Sequence, residues 1–511
     1  MNKRFLAIAM SAVLCLSLCS CASAPYAAES DPEIVLPEPS AEAKNMIYGE
    51  QIASKPVSVA LNYVSGDGTS FSTITRSLVL SPGESIYEEA VDTLLHNAST
   101  PDRMSFIPSE VQVEKTDYAC GIVSVNLSLD AHNIRSEQEY LSLFASISNT
   151  LLSMKGVSGV NILIGDRVES IADLPVGVQT EPMQGITPTY AQLSAERDYF
   201  LESETGTITR NAILYFPAES GDWFVPELRE ITFDSSDYAS ALIRALRAGP
   251  LASRCTFTAV PESADLLVDN PTMEVTSSGE RILELNFAST LRNYLAFSGI
   301  DEWDLVGSVA LTLCSFVPEL DAVRICIDNE PITGCEMGET TLVFADGLVH
   351  RSDFTAYIGS SVSLFIANED GTLDSVERAV SMVRAQSPLS LLYVLMDDIL
   401  TQNNSAEIFP AEVYYDDILG ISVEDGIASV NLSANFYRQS QALDAASERG
   451  VIYAFVNTLC GLDDISGVRF YIEGISAETL SGSIYLKGIL LPNPGIVVAE
   501  TTAVPEITAT P

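Results

Sequence analysis

The chain contains one short strand pattern three times, and this repetition limits its fold more than any other feature. Residues 121–128 read GIVSVNLS and residues 426–433 read GIASVNLS, which differ at one position, and a weaker relative, LELNFAS, occupies residues 283–289. Apolar and polar residues alternate along all three, which is typical of a strand with one face on a core and the other in solvent. The repetition predicts three copies of one folding unit.

The segments around each repeated strand also match. A second alternating strand follows each of them, after an amphipathic helix. These closing strands are GVNILIGD (159–166), AVRICIDN (322–329) and GVRFYIEG (467–474). Each copy opens with a strand and an acidic turn, and another helix follows that turn. The opening segments are VALNYVSGDG (59–68), AILYFPAESGD (212–222) and VSLFIANEDG (362–371).

This pattern predicts the order strand, helix, strand pair, helix, strand in every copy, and hence three tandem small α/β (α+β) domains. At 511 residues the chain is long enough for about three domains. The predicted divisions are a signal segment (1–20), a lipidated cysteine with a flexible tether (21–55), copy one (56–172), a linker (173–209), copy two (210–336), a second linker (337–361), copy three (362–478) and a carboxy-terminal tail (479–511).

The amino terminus is typical of an export signal. Lys3 and Arg4 precede an apolar run over residues 5–18, which is too short to span a membrane. Small Ser20 then stands directly before Cys21, as in a bacterial lipoprotein signal. The sequence therefore predicts lipid attachment at Cys21, with the mature protein anchored to the extracytoplasmic face of the cell membrane.

Leu18 lies three residues before Cys21, where a lipoprotein signal has an apolar residue. Cys19 is the poorer candidate for acylation because bulky Leu18 would occupy the position before it. An ordinary secretory signal with incidental cysteines is the alternative.

The charge of the chain excludes one class of partner. It has 26 basic and 69 acidic residues, a formal net charge of −43. A field of this sign repels nucleic acid and anionic lipid headgroups, so neither is an expected partner surface.

No pattern in the sequence predicts a catalytic, cofactor or metal site. The three histidines, His96, His132 and His350, lack the spacing of a zinc site, and no nucleophile elbow, P-loop or dinucleotide fingerprint is present. Three carboxylate doublets are interpreted as solvated faces. They are Asp397-Asp398, Asp416-Asp417 and Asp463-Asp464. The acidic turns at Asp67, Asp222 and Asp370 are interpreted as hairpin turns, because the calcium-loop register fails.

Six cysteines follow the proposed anchor, and their positions argue for different roles. They are Cys120, Cys255, Cys314, Cys326, Cys335 and Cys460. Cys314 and Cys460 occupy equivalent helix positions where copy one has Leu152, which predicts buried thiols in the core. Cys326 and Cys335 remain a candidate disulfide pair.

These repeated elements resemble the GerMN domain family. The resemblance rests on the opening strand and acidic turn (LYFPAESGDW, 214–223), the helix ending near Gly249-Pro250, the V-N-L-S strands and the GV-x-x-x-I closing strand. The family more often has aspartate in place of Asn126 and Asn431. The resemblance implies two helices packed on a small mixed sheet, similar to ring-building motifs, and an extracytoplasmic lipoprotein of a sporulating bacterium.

The expected function is therefore that of a non-enzymatic, membrane-anchored interaction or assembly module in the cell envelope, in sporulation or germination. Its expected partners are the membrane, through the lipid, and envelope proteins or further copies of itself. One alternative is a ligand-binding lipoprotein for a glycan or peptide, favoured if Trp223, Phe224 and Tyr238 face a cleft. A second is a cell-wall hydrolase with two dispersed carboxylates. Trp303, on an amphipathic helix, is expected in the core.

Overall fold

The described part of the chain folds into three α+β units with the same order of elements. The computed structural model describes residues 49–52, 56–65, 69–79, 85–96, 107–202, 206–219, 223–234, 237–251, 256–261, 267–337, 340–401, 408–462 and 464–498. The signal segment and Cys21 lie outside these residues. Within them, no helix has the length and apolar character needed to cross a membrane.

Each copy contains a hairpin, a helix, a strand pair, a crossover helix and a closing strand in this order, and further short elements differ between the copies. Through copy one they are β1 (Gly49–Ile52), β2 (Pro56–Val64), β3 (Phe71–Val79), α1 (Ile86–His96), β4 (Val113–Ala119), β5 (Ile122–Leu127), α2 (Glu137–Leu152), β6 (Gly159–Ile164), β7 (Ser170–Ile171) and β8 (Leu174–Pro175). Through copy two they are α3 (Ile186–Glu202), β9 (Thr207–Pro217), β10 (Phe224–Asp234), α4 (Tyr238–Arg247), β11 (Thr272–Val275), β12 (Arg281–Phe287), α5 (Thr290–Ser298), α6 (Glu302–Cys314), β13 (Ala322–Ile327), β14 (Glu330–Pro331), β15 (Gly334–Met337), β16 (Thr340–Val343) and β17 (Leu348–Val349).

Copy three repeats this order. Its elements are β18 (Gly359–Ala367), β19 (Leu373–Ser381), α7 (Met382–Gln386), α8 (Pro388–Thr401), β20 (Ile418–Glu424), β21 (Ile427–Leu432), α9 (Ala434–Ser440), α10 (Ala445–Leu459), β22 (Gly467–Ile472) and β23 (Ile475–Ser476). The predicted α+β class, with helices packed on small mixed sheets, is confirmed. The opening strand of each copy continues into a second strand that the sequence analysis did not predict, and the two form the hairpins β2–β3, β9–β10 and β18–β19.

The repeated strand lies between one antiparallel and one parallel neighbour in every copy, in a sheet of three strands in copy one and of five strands in copies two and three. In copy one, β5 runs antiparallel to β4 and parallel to β6. The same arrangement joins β12 to β11 and β13, and β21 to β20 and β22. Parallel neighbours require a crossover connection, which the second predicted helix of each copy supplies. These crossover helices are α2, α6 and α10.

The crossover helix packs between the opening hairpin and the sheet. In copy one, α2 contacts β2, β6, α1 and α3, and its residues from Leu141 to Leu151 are all buried. Ser136 caps its first turn by accepting a hydrogen bond from the backbone N–H of Glu139. Burial of one large apolar side chain stabilises a fold by roughly 1.5–3 kcal/mol, so this helix supplies much of the core of its copy.

One buried threonine in each crossover helix joins that helix to the opening strand. The hydroxyl oxygen of Thr150 accepts the backbone N–H of Asn62 at 2.9 Å. Equivalent bonds run from Tyr215 to Thr312 at 3.1 Å and from Phe365 to Thr458 at 3.0 Å. All three threonines are fully buried. Because the hydroxyl satisfies a buried backbone donor, the threonine fixes the hairpin on the helix.

The segment that follows each closing strand folds back and pairs with that strand. The backbone pairs are Val160 with Gln179, Val323 with Val349, and Val468 with Leu490. The prediction of linkers over 173–209 and 337–361, and of a tail over 479–511, is therefore wrong where these segments pair with a closing strand. Only one or two residues of each segment pair with the closing strand, which is too short a stretch for alternation to predict a strand.

Two asparagines hold these returning segments in place. Asn149 of α2 donates to the carbonyl of Met183 at 2.9 Å and accepts its N–H at 2.8 Å. Asn457 of α10 makes the same two bonds with Asn493, at 3.2 and 2.8 Å. Each asparagine precedes the buried threonine, so the sequence N-T-L in copies one and three encodes two contacts at once.

The prediction of a flexible tether over residues 21–55 is wrong for residues 49–52, the part of this range that the structure describes. Strand β1 pairs in parallel with β20 of copy three, with Gly49 opposite Gly420. Its Glu50 carboxylate accepts hydrogen bonds from the Ser387 hydroxyl at 2.9 Å and the Leu389 N–H at 3.3 Å. Negative charge is favourable at this helix N-terminus, where α8 begins.

A buried carboxylate fixes the residues after copy three. Glu448 of α10 is completely buried and accepts five backbone or hydroxyl hydrogen bonds from residues 479–484. Burial alone would raise the pKa of Glu448, but the donors around it lower that pKa from 4.5 to about 2. The carboxylate therefore stays ionised in the folded protein.

We predict that Thr312→Val destabilises copy two by about 1–3 kcal/mol, because the buried N–H of Tyr215 loses its acceptor while the side-chain volume is kept. Urea unfolding followed by tryptophan fluorescence measures this effect, since both tryptophans, Trp223 and Trp303, belong to copy two. Thr312→Ser keeps the hydroxyl and serves as the control. Equal stability of the valine variant and the parent would contradict the threonine's role.

Glu448→Gln is expected to lower stability at neutral pH and to flatten the acid side of the stability curve. The folded pKa lies below the unfolded value, so Glu448 stabilises the fold above about pH 4.5 and loses this effect as pH falls toward about 2. Urea unfolding by circular dichroism across this range tests the prediction. Glu478→Gln is the control, because Glu478 is exposed and paired only with Lys487. Matching pH dependences for the two variants would refute it.

Candidate functional site

The repeated asparagine of the V-N-L-S strand holds a backbone turn. The side-chain oxygen of Asn126 accepts the N–H of Asp166 at 2.9 Å. Asn286 and Asn431 do the same for the second turn residue of their copies, with distances of 3.0 and 2.8 Å. Both central residues of each turn have positive φ, such as Gly165 at 55° and Asp166 at 65°. The most distinctive residue of the repeat therefore serves the fold.

The histidines and carboxylates do not form a reactive cluster in the part of the chain that the structure describes. Each histidine lies beside one carboxylate. The pairs are His96 with Asp92 at 3.1 Å, His132 with Glu169 at 2.9 Å, and His350 with Asp353 at 3.8 Å. Among the described residues, no three His, Cys, Asp or Glu side chains are placed to hold a metal ion.

The carboxylate doublets are only half solvated, so the interpretation of them as solvated faces is wrong for two residues. Asp398 is buried and bonds to Arg378 at 2.6 Å, and buried Asp417 accepts the hydroxyl of Ser433 at 2.5 Å. Their neighbours in the sequence are exposed. Each buried carboxylate has a donor, so both are structural.

The acidic turn of copy three is a hairpin turn, as predicted. The Asp370 carboxylate accepts the N–H of Thr372 at 2.9 Å and its hydroxyl at 2.6 Å, and Gly371 has a φ of 74°. Asp67, Asp222 and Asp463 lie outside the described residues.

The described cysteines are free thiols. Cys326 and Cys335 are both buried and unpaired, so the candidate disulfide between them is absent. Cys314 is in the core as predicted, whereas Cys460 is only half-buried. Burial raises the pKa of Cys314 and of Cys335 to about 12, which makes these thiols poor nucleophiles. Cys255 lies outside the described residues.

The aromatic residues proposed to line a ligand groove are packed within copy two. Phe224 is fully buried, with its ring 5.5 Å from that of Trp303. Trp223 packs against Tyr357, and Tyr238 packs edge-on against Phe233. Trp303 is buried, as predicted. These contacts account for the cluster without a ligand.

Copy two covers the outward face of the copy-one sheet, and we call this contact the seam. Asn161 of β6 donates to the carbonyl of Ser315, directly after α6, at 3.4 Å. The N–H of Glu319 donates to the carbonyl of Val168 at 2.7 Å. The seam thus joins one sheet face to the end of the next copy's crossover helix and to the loop after it.

Charged residues also cross the seam. Arg167 of copy one pairs with Asp321 of copy two at 3.0 Å. Arg351, which is 2% exposed, donates to the Ser315 hydroxyl at 3.2 Å and lies 3.7 Å from the Asp166 carboxylate. A fully buried guanidinium requires such partners, because removing it from water costs several kcal/mol.

The seam changes the environment of the repeated strand. Ser124 and Asn126, predicted to face solvent, are 6% and 8% exposed. Ile122 and Val178 join the hydrophobic cluster of copy two. The alternation describes the two faces of the strand correctly. The seam covers Ser124, whose copy-three equivalent Ser429 is half-buried. Asn126 is buried by its own copy, since its equivalent Asn431 is 2% exposed in copy three and makes the same turn contact.

Three segments match the profile of one protein family, described as Germane, sporulation and spore germination. The matched residues are 61–169, 213–333 and 363–478, which together make up more than half of the chain. The chain belongs to the Germane family. The resemblance inferred from the repeated elements, including the number of copies, is confirmed by these three matches.

Comparison with solved structures gives chains that are similar to parts of this one. The tandem GerMN domains of the sporulation protein GerM from Bacillus subtilis match at 20% identity over 58% of this chain and 98% of that chain, with a TM-score of 0.24. The first GerMN domain of the same protein matches at 17% identity over 21% and 83%, with a TM-score of 0.18. A putative lipoprotein from Clostridium perfringens matches at 15% identity over 25% and 87%, with a TM-score of 0.16. No curated protein matches the chain.

The outward sheet face of copy two carries ion pairs between its own side chains. Arg324 of β13 bonds to Glu274 at 3.0 Å and to Glu284 at 3.1 Å. The hydrogen bonds that Arg324 donates to these two carboxylates raise its pKa above the usual value. The outward sheet face is therefore covered by another domain in copy one, whereas in copy two the charge of Arg324 is balanced by carboxylates of the same sheet.

We predict that Arg351→Met destabilises the seam by about 1–3 kcal/mol, because it removes the partner of Asp166 and leaves the Ser315 hydroxyl without its donor. Scanning calorimetry measures the loss. Arg324→Met is the matched control, since Arg324 makes only partly exposed ion pairs, which contribute little. A larger loss for the control would show that Arg351 does not hold the seam.

Proposed function

We propose that this Germane protein is a lipid-anchored, extracytoplasmic assembly module of the cell envelope that acts in sporulation or germination through protein contacts and without catalysis. The observation that carries this proposal is the use of the repeated polar residues. The asparagine of each repeated strand and the threonine of each crossover helix both bind backbone groups. Repetition has preserved a scaffold in all three copies, with no reactive group common to them.

The interior of the described residues supports a role in contact with other macromolecules. Two of the best-defined cavities each hold about 10 Å³, about the room that one water molecule needs. One of them lies in the seam, between Phe144 and Phe316. Small-molecule sites are usually several hundred Å³. A folded partner on an outer surface therefore suits this protein better than a glycan or peptide in a groove.

The seam supports self-recognition as the mode of assembly. It joins two copies of one module through backbone hydrogen bonds, ion pairs and apolar contacts. A module that binds its own kind within a chain has the surfaces needed to bind related domains between chains. The proposed partners are envelope proteins or further copies of this chain.

The anchor part of the proposal rests on the sequence LSLCSC, with Cys21 as the acylated residue. Cys21→Ser is expected to abolish incorporation of radiolabelled palmitate and to release the protein from the membrane fraction. Cys19→Ser is the matched control, with labelling unchanged. Palmitate labelling of sporulating cells, followed by fractionation, tests both. Labelling that persists in the Cys21 variant would show that the anchor is elsewhere or absent.

The assembly part is tested by crosslinking the anchored protein in sporulating cells and identifying what is captured by mass spectrometry. Envelope proteins or a second copy are the expected products. Capture of wall fragments alone, with no protein neighbour, would refute an assembly role.

A further inference from the structure

Copy three presents an uncovered equivalent of the sheet face that copy two covers in copy one. Ile122 pairs with Gly159 in the copy-one sheet, and Ile427 pairs with Gly467 at the same register in copy three. Corresponding positions can therefore be assigned by register. The outward positions of copy three form a surface that we call the copy-three face. Its residues are Ile427, Arg469, Tyr471, Ile489 and Leu491.

Equivalent positions on the two faces differ in exposure. Val178 of copy one lies against Gly159 and is 3% exposed. Its counterpart Ile489 lies against the equivalent Gly467 and is 41% exposed. Leu163 is buried, and its counterpart Tyr471 is half-buried. Leu491, beside Ile489 on this face, is 63% exposed. Copy three thus keeps large apolar side chains where the seam would bury them, but nothing in the described chain covers them.

Arg469, which has no ion-pair partner among the described residues, lies among these apolar residues. Arg469 occupies the position of Arg324 in copy two. Arg324 pairs with two carboxylates of its own sheet, whereas Arg469 is exposed and forms no ion pair with any described residue. A chain with a net charge of −43 offers many acids, so this isolated arginine fits an acidic group supplied from outside the copy.

The seam indicates what kind of surface fits the copy-three face. Copy two supplies the end of its crossover helix and the acidic loop that follows, with Glu319 and Asp321. Copy three has an equivalent loop after α10, in which Leu462 is half-buried and Asp464 is exposed. The corresponding surface of copy two is already used inside the seam. The loop after α2 carries Lys155 and no acid, so its charge would oppose Arg469.

We infer that copy three binds copy three of a second chain, with Leu462 and Asp464 of each chain against the copy-three face of the other. Each surface is used twice across a two-fold axis, so the contact closes at a dimer. Asp464 supplies the carboxylate for Arg469, and Leu462 covers the apolar residues around it. This inference rests on the assembly role proposed above and names its partner and its surface.

The test is the oligomeric state of the full chain carrying Cys21→Ser, which removes the lipid as a cause of association. Sedimentation velocity over a wide concentration range, at about 0.15 M salt to screen the net charge, is expected to show a monomer–dimer equilibrium. Leu491→Asp is expected to raise the dimer dissociation constant about tenfold or more. Phe297→Asp is the matched control, because Phe297 is 92% exposed on α5 of copy two, and this change is expected to leave the dimer unchanged.

A charge exchange tests the arginine contact separately. Arg469→Asp alone is expected to weaken the dimer about tenfold, because two carboxylates then face each other, and Arg469→Asp combined with Asp464→Arg restores it. Circular dichroism confirms that each variant is folded. A parent chain that stays monomeric, equal weakening by Phe297→Asp, or a double variant as weak as the single one would each overturn the inference.

These results are independent of the palmitate and crosslinking experiments. The sedimentation measurement uses unacylated protein in solution, so a monomer removes the copy-three contact and leaves the anchored role to its own tests. Loss of the anchor, in turn, leaves the dimer measurable.

Discussion

A single buried hydroxyl in each copy joins the two layers of this fold. An isolated hairpin is at best marginally stable in water, so the hairpin of each copy depends on packing against the crossover helix. The threonine of the crossover helix satisfies one backbone N–H of the hairpin that would otherwise be buried without a partner. This bond sets the position of the hairpin along the helix, and the apolar contacts on both sides of the helix then follow from that position.

Much of this architecture was readable in the sequence, and the reasons are local. Alternation along GIVSVNLS and its relatives gives the strand and its two faces, and the repetition gives the number of copies. The returning segments escaped prediction because each pairs through only one or two residues, such as Gln179, and so short a contact leaves no pattern long enough to predict a strand. The second hairpin strand escaped for a related reason, since segments such as LDSVERAVS are mostly polar.

The functional part was less accessible, because it depends on contacts between copies. Nothing in the residues around Asn161 shows that a second domain covers them, and Arg351 lies in a stretch that was interpreted as a linker. The asparagine of the repeated strand was visible as a motif, but its role as a turn acceptor requires the distance to Asp166. The N-T-L sequence that copies one and three share is a signal from which this threonine can be found in the sequence.

The pairing of β1 with β20 has a mechanical consequence. The first described strand, β1, pairs with the third domain, although it precedes the first domain in the sequence. A force applied at Gly49 therefore acts first on this short parallel strand and on the Glu50 contact at the start of α8. Only after these few bonds give way does tension reach the hairpin of copy one. Copy three, the last domain in the sequence, thus bears a force that is applied at the first described strand.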